Sequence, residues 1–149
     1  MSVDVRPVRR DDLDALVVLC AEHAAYERAA INAEGLCVRL EQALLAEPAR
    51  LLGWISEARE PVGYLTATRD FSTWRAREFL HMDCLYVREG HRGAGVGLRL
   101  FAALRAHARA AGIDEIQWQT PHWNRDAARF YRRLGAVEAT KLRYRLQAR

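Results

Sequence analysis

Cysteine is scarce in this sequence, and the placement of the few cysteines excludes two kinds of site. Cys20, Cys37 and Cys84 are odd in number and widely spaced, and no C-x-x-C pair occurs. This arrangement indicates neither a disulfide framework nor a structural zinc site. We therefore expect a protein of a reducing compartment, the cytoplasm.

Long apolar runs are absent as well. No uninterrupted apolar segment approaches the roughly 18 residues that a membrane span needs. The opening stretch MSVDVRPVRRDD lacks the apolar core of a signal peptide. We expect a soluble cytoplasmic protein with no membrane partner.

Lysine is almost missing, since Lys141 is the only lysine among 23 basic side chains. The sequence has 19 acidic side chains, so its net charge is +4. Arginine suits bidentate contact with phosphate or carboxylate, so the composition is compatible with a polyanionic ligand. The arginines are scattered among acids without a base-stacking or groove-reading motif, so we expect no nucleic-acid partner. The histidines show no metal-ligand spacing and the serines lie in no nucleophile elbow, so we expect no metal.

What the sequence does contain is enough apolar material for one core. Half of its 149 residues are hydrophobic, which predicts one domain over residues 1–149. Alternating patterns predict strands at residues 3–8, 51–58, 62–68, 79–87, 113–120 and 142–146. Helical patterns predict a helix that is capped by Asp11 or Asp12 and reaches Arg28, and further helices at residues 36–46, 95–111 and 124–134, with a loop at residues 69–77.

A glycine-rich stretch, REGHRGAGVG at residues 88–97, follows the predicted fourth strand. A glycine loop between a strand and a helix points backbone N–H groups at an anion, and phosphate is the usual occupant. A nucleotide P-loop would need Lys and Ser or Thr where Val96 and Gly97 stand. A dinucleotide fingerprint would need a third glycine where Leu98 stands. The stretch therefore disfavours both nucleotide triphosphates and nicotinamide cofactors.

The remaining pattern, R-x-x-G-x-G, resembles the pyrophosphate-binding motif of the GNAT superfamily of acyl-coenzyme A-dependent N-acetyltransferases. The resemblance implies an α/β (α+β) domain with a central twisted mixed sheet of about six to seven strands flanked by about four helices. It implies acetyl-CoA as co-substrate, with loop amides on the pyrophosphate and the preceding strand paired with the pantetheine arm. The residues implied in this binding are Leu85, Tyr86, Val87, Arg92, Gly93, Ala94, Gly95, Val96 and Gly97.

A second stretch, WNRDAARFYRRLGA at residues 123–136, is similar to the other signature of the superfamily. Asn124 and Tyr131 lie seven residues apart, which places them on one helix face. The resemblance implies that Asn124 contacts coenzyme A and that Tyr131 is the general acid near its sulfur. A phenol with a pKa of about 10 can protonate a thiolate whose conjugate acid has a pKa of about 8.5. As alternatives, Asn124 only caps the helix and Tyr131 only packs against Phe130.

Within the superfamily, the sequence resembles the spermidine/spermine and diamine acetyltransferases, at Tyr26-Glu27, residues 82–87 and residues 123–124. This resemblance implies a homodimer. Glu27 lies on the apolar stripe of its predicted helix, and Asp83 has apolar neighbours in its strand, so an ammonium substrate would satisfy both carboxylates. We interpret Tyr26, Glu27 and Asp83 as substrate-binding and Asp83 as catalytic, the acceptor of the amine's proton.

Several alternatives stay open. Glu27 and Asp83 could instead pair with Arg75 or Arg77, because buried charges are normally paired. Cys84 stands where the polyamine group tends to have a second acid, which favours an amino acid, a short diamine or an amino sugar over a long polycation. The expected function is transfer of an acetyl group to a primary amine of a small molecule. Acetylation of a protein amine and non-catalytic sensing of acyl-coenzyme A are the rivals.

Overall fold

Four helices and five strands follow one another along the part of the chain that the structure describes. The computed structural model describes residues 2–149. Within this range the helices are α1 Leu13–Tyr26, α2 Leu36–Leu44, α3 Val96–Ala110 and α4 Arg125–Arg133. The strands are β1 Asp4–Pro7, β2 Leu52–Glu57, β3 Pro61–Ser72, β4 Arg77–Val87 and β5 Ile116–Gln117. None of the helices described is both long and apolar enough to cross a membrane.

The chain divides into two compact units, one ending at Trp118 and the other comprising Gln119–Arg149. The first unit holds one sheet of five strands in the order β1-β2-β3-β4-β5. The first three pairings are antiparallel, whereas β4 and β5 are parallel. The mixed sheet and the four helices confirm the predicted fold class. The predicted count of six to seven strands is wrong, since residues 2–149 form five.

The two faces of the sheet carry different helices. Ile55 and Tyr64 lie opposite each other in β2 and β3, and both side chains point to the face that α1 and α2 cover. The buried residues of this face are Leu13, Leu16, Leu19, Leu44, Ile55 and Tyr64. Trp54, the next residue along β2, points to the opposite face, where its ring meets His107 of α3 with the centroids 5.5 Å apart. The sheet is therefore sandwiched between α1 and α2 on one side and α3 on the other.

The second unit is built around α4. The Oδ1 atom of Asn124 accepts a hydrogen bond from the Ala127 N–H at 3.3 Å, as an N-cap should. Gly135 follows the helix with a φ of 87°, the left-handed conformation that favours glycine at a helix end. Arg132 then forms an ion pair with Glu138 at 3.1 Å. Both predicted ends of this helix are confirmed to within a residue.

Two segments differ from prediction near the β3 and β4 hairpin. Residues 69–77 were predicted as a loop, but β3 continues to Ser72 and β4 begins at Arg77, so that only residues 73–76 form the turn. This end of the hairpin is largely exposed, so it carries the charged residues that a loop would also carry. Polarity alone does not separate an exposed strand from a loop.

The predicted strand at residues 113–120 is wrong in its extent, and the predicted strand at residues 142–146 is not formed. The first shrinks to β5, which spans two residues, and no described residue after Gln117 lies in a strand. Leu142, Tyr144 and Leu146 do alternate with basic residues, and all three are exposed. A period-two pattern specifies which side chains would share a face, but a strand also needs a neighbour to pair with.

A buried carboxylate ties the first strand to the first helix. Both Asp12 oxygens accept hydrogen bonds from Arg6 of β1, at 2.7 and 2.9 Å, and Arg6 also reaches Glu57 of β2 at 3.1 Å. The Arg9 N–H adds a further bond to Asp12 at 2.7 Å. Hydrogen bonding from Arg6 outweighs burial and lowers the pKa of the Asp12 carboxyl below its usual value.

We predict that Asp12→Ala lowers the free energy of unfolding by about 2 kcal/mol at pH 7, because Arg6 loses its bidentate partner. A lowered carboxyl pKa stabilises the fold above the unfolded value of about 3.9, and this stabilisation is lost as the pH falls through the folded pKa. Urea unfolding of wild type and variant should therefore differ at pH 7 and converge as the pH falls below 4. The exposed neighbour provides the control, since Asp11→Ala should change stability by less than about 0.5 kcal/mol. Equal effects of the two substitutions would contradict the role of Asp12.

Candidate active site

The glycine-rich stretch forms an open loop between β4 and α3. A 3₁₀ turn at Glu89–His91 follows β4, and Gly95 precedes α3 as its N-cap residue. Gly93 and Gly95 have φ values of 80° and 81°, so both lie in the left-handed region, where glycine is favoured. A Cβ atom on either would meet nothing within 4 Å. The first N–H groups of a helix have no partner within the helix, so an open loop that leads into the α3 N-terminus is an arrangement that can bind an anion.

The strand that leads into this loop has one edge without a partner strand. β4 pairs with β3 along its whole length, but with β5 only at Leu80 and His81. Among the described residues, no strand pairs with the β5-facing edge of residues 82–87. An extended ligand can form main-chain hydrogen bonds with such an edge. Leu85, Tyr86 and Val87, predicted to bind the pantetheine arm, lie on it.

Asp83 lies at an irregularity in the same strand. Met82 pairs with Ala67 and Cys84 pairs with Thr66, which leaves Asp83 as the extra residue of a β-bulge. Its side chain is exposed, so the expectation of a carboxylate enclosed by apolar neighbours is wrong. The bulge turns the polar side chain out of the packed face. An accessible carboxylate beside the unpaired edge remains available to a cationic ligand.

Arg92 links the loop to β4 and to the end of α1. Its Nε atom donates to the Val87 carbonyl at 2.7 Å. Its guanidinium carbon lies 4.7 Å from the centre of the Tyr26 ring and 5.7 Å from that of Tyr86, both within range of a cation–π interaction. The structure therefore brings Tyr26, Tyr86 and Arg92, all predicted site residues, into one cluster.

Glu27 joins this cluster through His23, which was not among the predicted site residues. His23 Nε2 lies 2.5 Å from Glu27 Oε2, and the His23 ring stacks on the Tyr86 ring with the centroids 5.2 Å apart. An H-x-x-x-E spacing on a helix was the available signal, because residues four apart are neighbours on a helix surface.

The alternative pairing of the two acids with arginines is wrong. Arg75 and Arg77 both bind Asp114, at 3.0 and 2.8 Å. Glu27 is bound by His23, and Asp83 forms no ion pair within residues 2–149. The two predicted substrate carboxylates are therefore not paired with Arg75 or Arg77.

A second pair holds α1 against the end of β4. Arg88 donates to both oxygens of Glu22, at 2.9 and 3.0 Å, and its Nη1 donates to the Pro61 carbonyl at 3.1 Å. The Tyr86 hydroxyl donates to Glu22 at 3.4 Å. These contacts join α1 to the strand that enters the glycine loop, so the end of α1 has a fixed place beside that strand.

Cys84 is a poor nucleophile in this structure. Burial, followed by the nearby negative charge of Asp83, raises the pKa of its thiol to about 12. The thiol therefore stays protonated at neutral pH, and its Sγ donates to the Asp83 carboxylate at 3.7 Å. This protonation state argues against a covalent acetyl-cysteine route.

The second unit carries the two remaining predicted site residues. Asn124 is buried and caps α4, as one of its two interpretations anticipated. Tyr131 is half-buried, and its ring meets that of Phe130 with the centroids 5.5 Å apart. The helical spacing of Asn124 and Tyr131 is confirmed. Their contacts with a ligand stay predictions.

Comparison with known proteins identifies relatives over most of the chain. A sequence model described as the acetyltransferase (GNAT) family matches residues 15–136. The thialysine N-epsilon-acetyltransferase of Caenorhabditis elegans is 27% identical over 141 residues, covering 94% of this chain and 86% of that protein. The Bos taurus protein of the same name is 26% identical over 151 residues, covering 93% and 86%.

Solved structures show the same fold. The structure of AAC(6')-Iy, in complex with the bisubstrate analogue CoA-S-monomethyl-acetylneamine, matches with a TM-score of 0.84. The sequences are 18% identical, and the match covers 99% of each chain. Identity at this level shows the fold alone, and the fold is the one that the glycine motif predicted.

We predict that Cys84 resists alkylation in the folded protein. A thiol with a pKa near 12 has about 10³-fold less thiolate at pH 7.5 than one with a pKa of 8.5, and the thiolate is the reactive form. Iodoacetamide labelling followed by peptide mass spectrometry should modify Cys84 at least about 10³-fold more slowly in buffer than in urea. The same residue in the unfolded chain is the control. Equal rates in the two conditions would show an accessible, ionised thiol.

Proposed function

Because the chain belongs to the acetyltransferase (GNAT) family, we propose that it transfers the acetyl group of acetyl-CoA to a primary amine of a small molecule. One observation carries this proposal, the unpaired edge of residues 82–87 running directly into the glycine loop. An extended arm and a pyrophosphate in one ligand need these two features side by side. Coenzyme A has both, and it supplies the activated acetyl thioester.

The coenzyme site in this proposal is the loop and the edge together. The N–H groups of Gly93 to Gly97 bind the pyrophosphate, supported by the exposure of residues 93–95 and by the left-handed glycines that shape the loop. Leu85, Tyr86 and Val87 pair with the pantetheine arm through their main chain. Arg92 is tethered by its Nε to the Val87 carbonyl, so its positive charge stays between the loop and the strand. Asn124 is carried over from the family signature as a further residue that contacts coenzyme A.

The amine site in this proposal consists of Tyr26, Glu27 and Asp83. Both carboxylates are accessible, since Asp83 is exposed and the Glu27 side chain is 31% exposed. Arg92 lies over Tyr26, so the surroundings carry positive as well as negative charge. A mixed-charge site favours an amino acid, a short diamine or an amino sugar over a long polycation. The thialysine N-epsilon-acetyltransferases among the relatives, and the acetylneamine-containing analogue bound to AAC(6')-Iy, support this class of acceptor.

The proposed chemistry is direct attack in a ternary complex. Asp83, on the bulge beside the unpaired edge, binds the ammonium group and accepts its proton, so that the nitrogen lone pair becomes available. A backbone N–H near Val87 stabilises the oxyanion. The Tyr131 hydroxyl gives its proton to the sulfur as it leaves. The high pKa of Cys84 supports this route over a covalent one.

We also propose a cytoplasmic homodimer. The three free cysteines support a reducing compartment. The dimer rests on the resemblance to the diamine acetyltransferase group, and sedimentation at assay concentration distinguishes it from a monomer.

We predict that Gly95→Ala raises the KM for acetyl-CoA at least about tenfold, because a Cβ at this left-handed position strains the loop that aims its N–H groups at the pyrophosphate. Gly112→Ala is the matched control. Gly112 flanks the other end of α3, with a φ of 70° and nothing within 4 Å of its would-be Cβ. Both variants should lose similar stability, about 1 kcal/mol, and only Gly95→Ala should alter the KM. A raised KM in both variants would show that general destabilisation, and not the loop, controls coenzyme binding.

Tyr131→Phe should lower kcat about 10²- to 10³-fold, because the substitution removes only the proton donor. The affinity for acetyl-CoA, measured by calorimetry, should change less than about twofold. Tyr144→Phe, at an exposed position in the same unit, should leave kcat unchanged. Steady-state thiol release measures both. Full activity of Tyr131→Phe would remove Tyr131 from the chemistry.

A further inference from the structure

His23 is a buried histidine with a hydrogen-bond partner on each ring nitrogen. It lies in the last turn of α1 and is 8% exposed. Nδ1 lies 2.7 Å from the hydroxyl of Tyr64, and Nε2 lies 2.5 Å from Glu27 Oε2. The Tyr86 ring stacks on it at 5.2 Å. One imidazole thus connects the core of the sheet, the unpaired strand and the proposed amine-binding carboxylate.

The partners of His23 determine which nitrogen carries the proton. Tyr64 is 2% exposed, and burial raises the pKa of its phenol, so the hydroxyl keeps its proton. The thiols of Cys20 and Cys84 also lie near this hydroxyl, and sulfur is a weaker acceptor than the imidazole nitrogen. The phenol therefore donates to Nδ1. With Nδ1 as the acceptor from Tyr64, the ring proton lies on Nε2, which donates to the Glu27 carboxylate.

The hydrogen bond from His23 Nε2 keeps the Glu27 carboxylate in its observed position. It follows the last turn of α1, where the helix dipole is negative and disfavours a carboxylate. A glutamate side chain also gains rotamer entropy when it moves into solvent. The bond to Nε2 opposes both tendencies and occupies Oε2. The rest of the partly exposed carboxylate remains accessible beside Tyr26.

We propose that His23 is a positioning residue for the acceptor amine, which holds Glu27 by one oxygen so that the remaining carboxylate binds a single ammonium group. This inference rests on the proposed function. Tyr64 takes part by fixing the tautomer of His23 from the core of the sheet. A carboxylate held in this way favours a compact amine that fits one orientation over a polycation that slides along the site.

Two amide variants separate the two hydrogen bonds of His23. The amide nitrogen of glutamine can stand near the place of Nε2, and the amide oxygen of asparagine can stand near the place of Nδ1, where it accepts from the Tyr64 hydroxyl. His23→Gln keeps a donor for Glu27, whereas His23→Asn keeps only the contact with Tyr64. The substrate is whichever of lysine, putrescine, spermidine and glucosamine has the highest kcat/KM with wild type.

His23→Asn should raise the KM for this amine about tenfold, with kcat and the KM for acetyl-CoA changed less than about twofold, because one charge-assisted hydrogen bond is lost. His23→Gln should restore the amine KM to within about threefold of wild type. In a Glu27→Gln background, His23→Asn should have no further effect. Equal amine KM values for the two histidine variants, or additive effects with Glu27→Gln, would overturn the positioning role.

A spectroscopic measurement tests the same inference without turnover. In ¹⁵N NMR of ring-labelled wild type, His23 should show a protonated Nε2 with a far-downfield proton and an unprotonated Nδ1. Glu27→Gln should shift that proton upfield, and titration of wild type with lysine or putrescine should perturb it. The opposite tautomer, or a proton insensitive to both amines, would overturn the inference. The expected tautomer and amine response, without acetylation of any amine, would instead contradict the proposed function.

Discussion

The early separation of β5 from β4 is the constraint on which the rest of the site depends. The two parallel strands share only Leu80 and His81, so the six residues of β4 that follow His81, residues 82–87, keep an unpaired edge on that side. A sheet edge with unmet N–H and C=O groups normally invites another strand. Here the edge leads into a loop of left-handed glycines and a helix N-terminus, so the proposed ligand, which is extended and carries an anionic group, would satisfy edge and loop together.

The contacts around α1 fix the position of this helix beside the unpaired edge. Arg88 and Glu22 tie the helix to the end of β4, Arg92 spans Tyr26 and Tyr86, and His23 stacks on Tyr86. The last turn of α1 therefore cannot shift without disturbing the strand that would bind the pantetheine arm. The residues proposed for amine recognition and those proposed for coenzyme binding are therefore joined by contacts around one helix end, which is the condition for holding two reactants in attack geometry.

Features encoded in consecutive residues were predictable from the sequence. The glycine loop, the cap at Asn124 and the glycine after α4 depend on local backbone conformation, and the structure has them where they were expected. His23 was not predictable as a site residue, because its partner Tyr64 comes from a strand 41 residues away. The exposure of Asp83 depends on a bulge that alternation of residue types cannot reveal. Leu142 to Leu146 has the pattern of a strand, but a pattern does not supply a pairing partner.

The most direct test of the central claim is thiol release from acetyl-CoA, measured with wild type over lysine, putrescine, spermidine, glucosamine and a lysine-containing peptide. The account predicts saturable release with at least one small amine, at a higher kcat/KM than with the peptide. Release with the peptide alone, or acetyl-CoA binding by calorimetry without release for any amine, would contradict it.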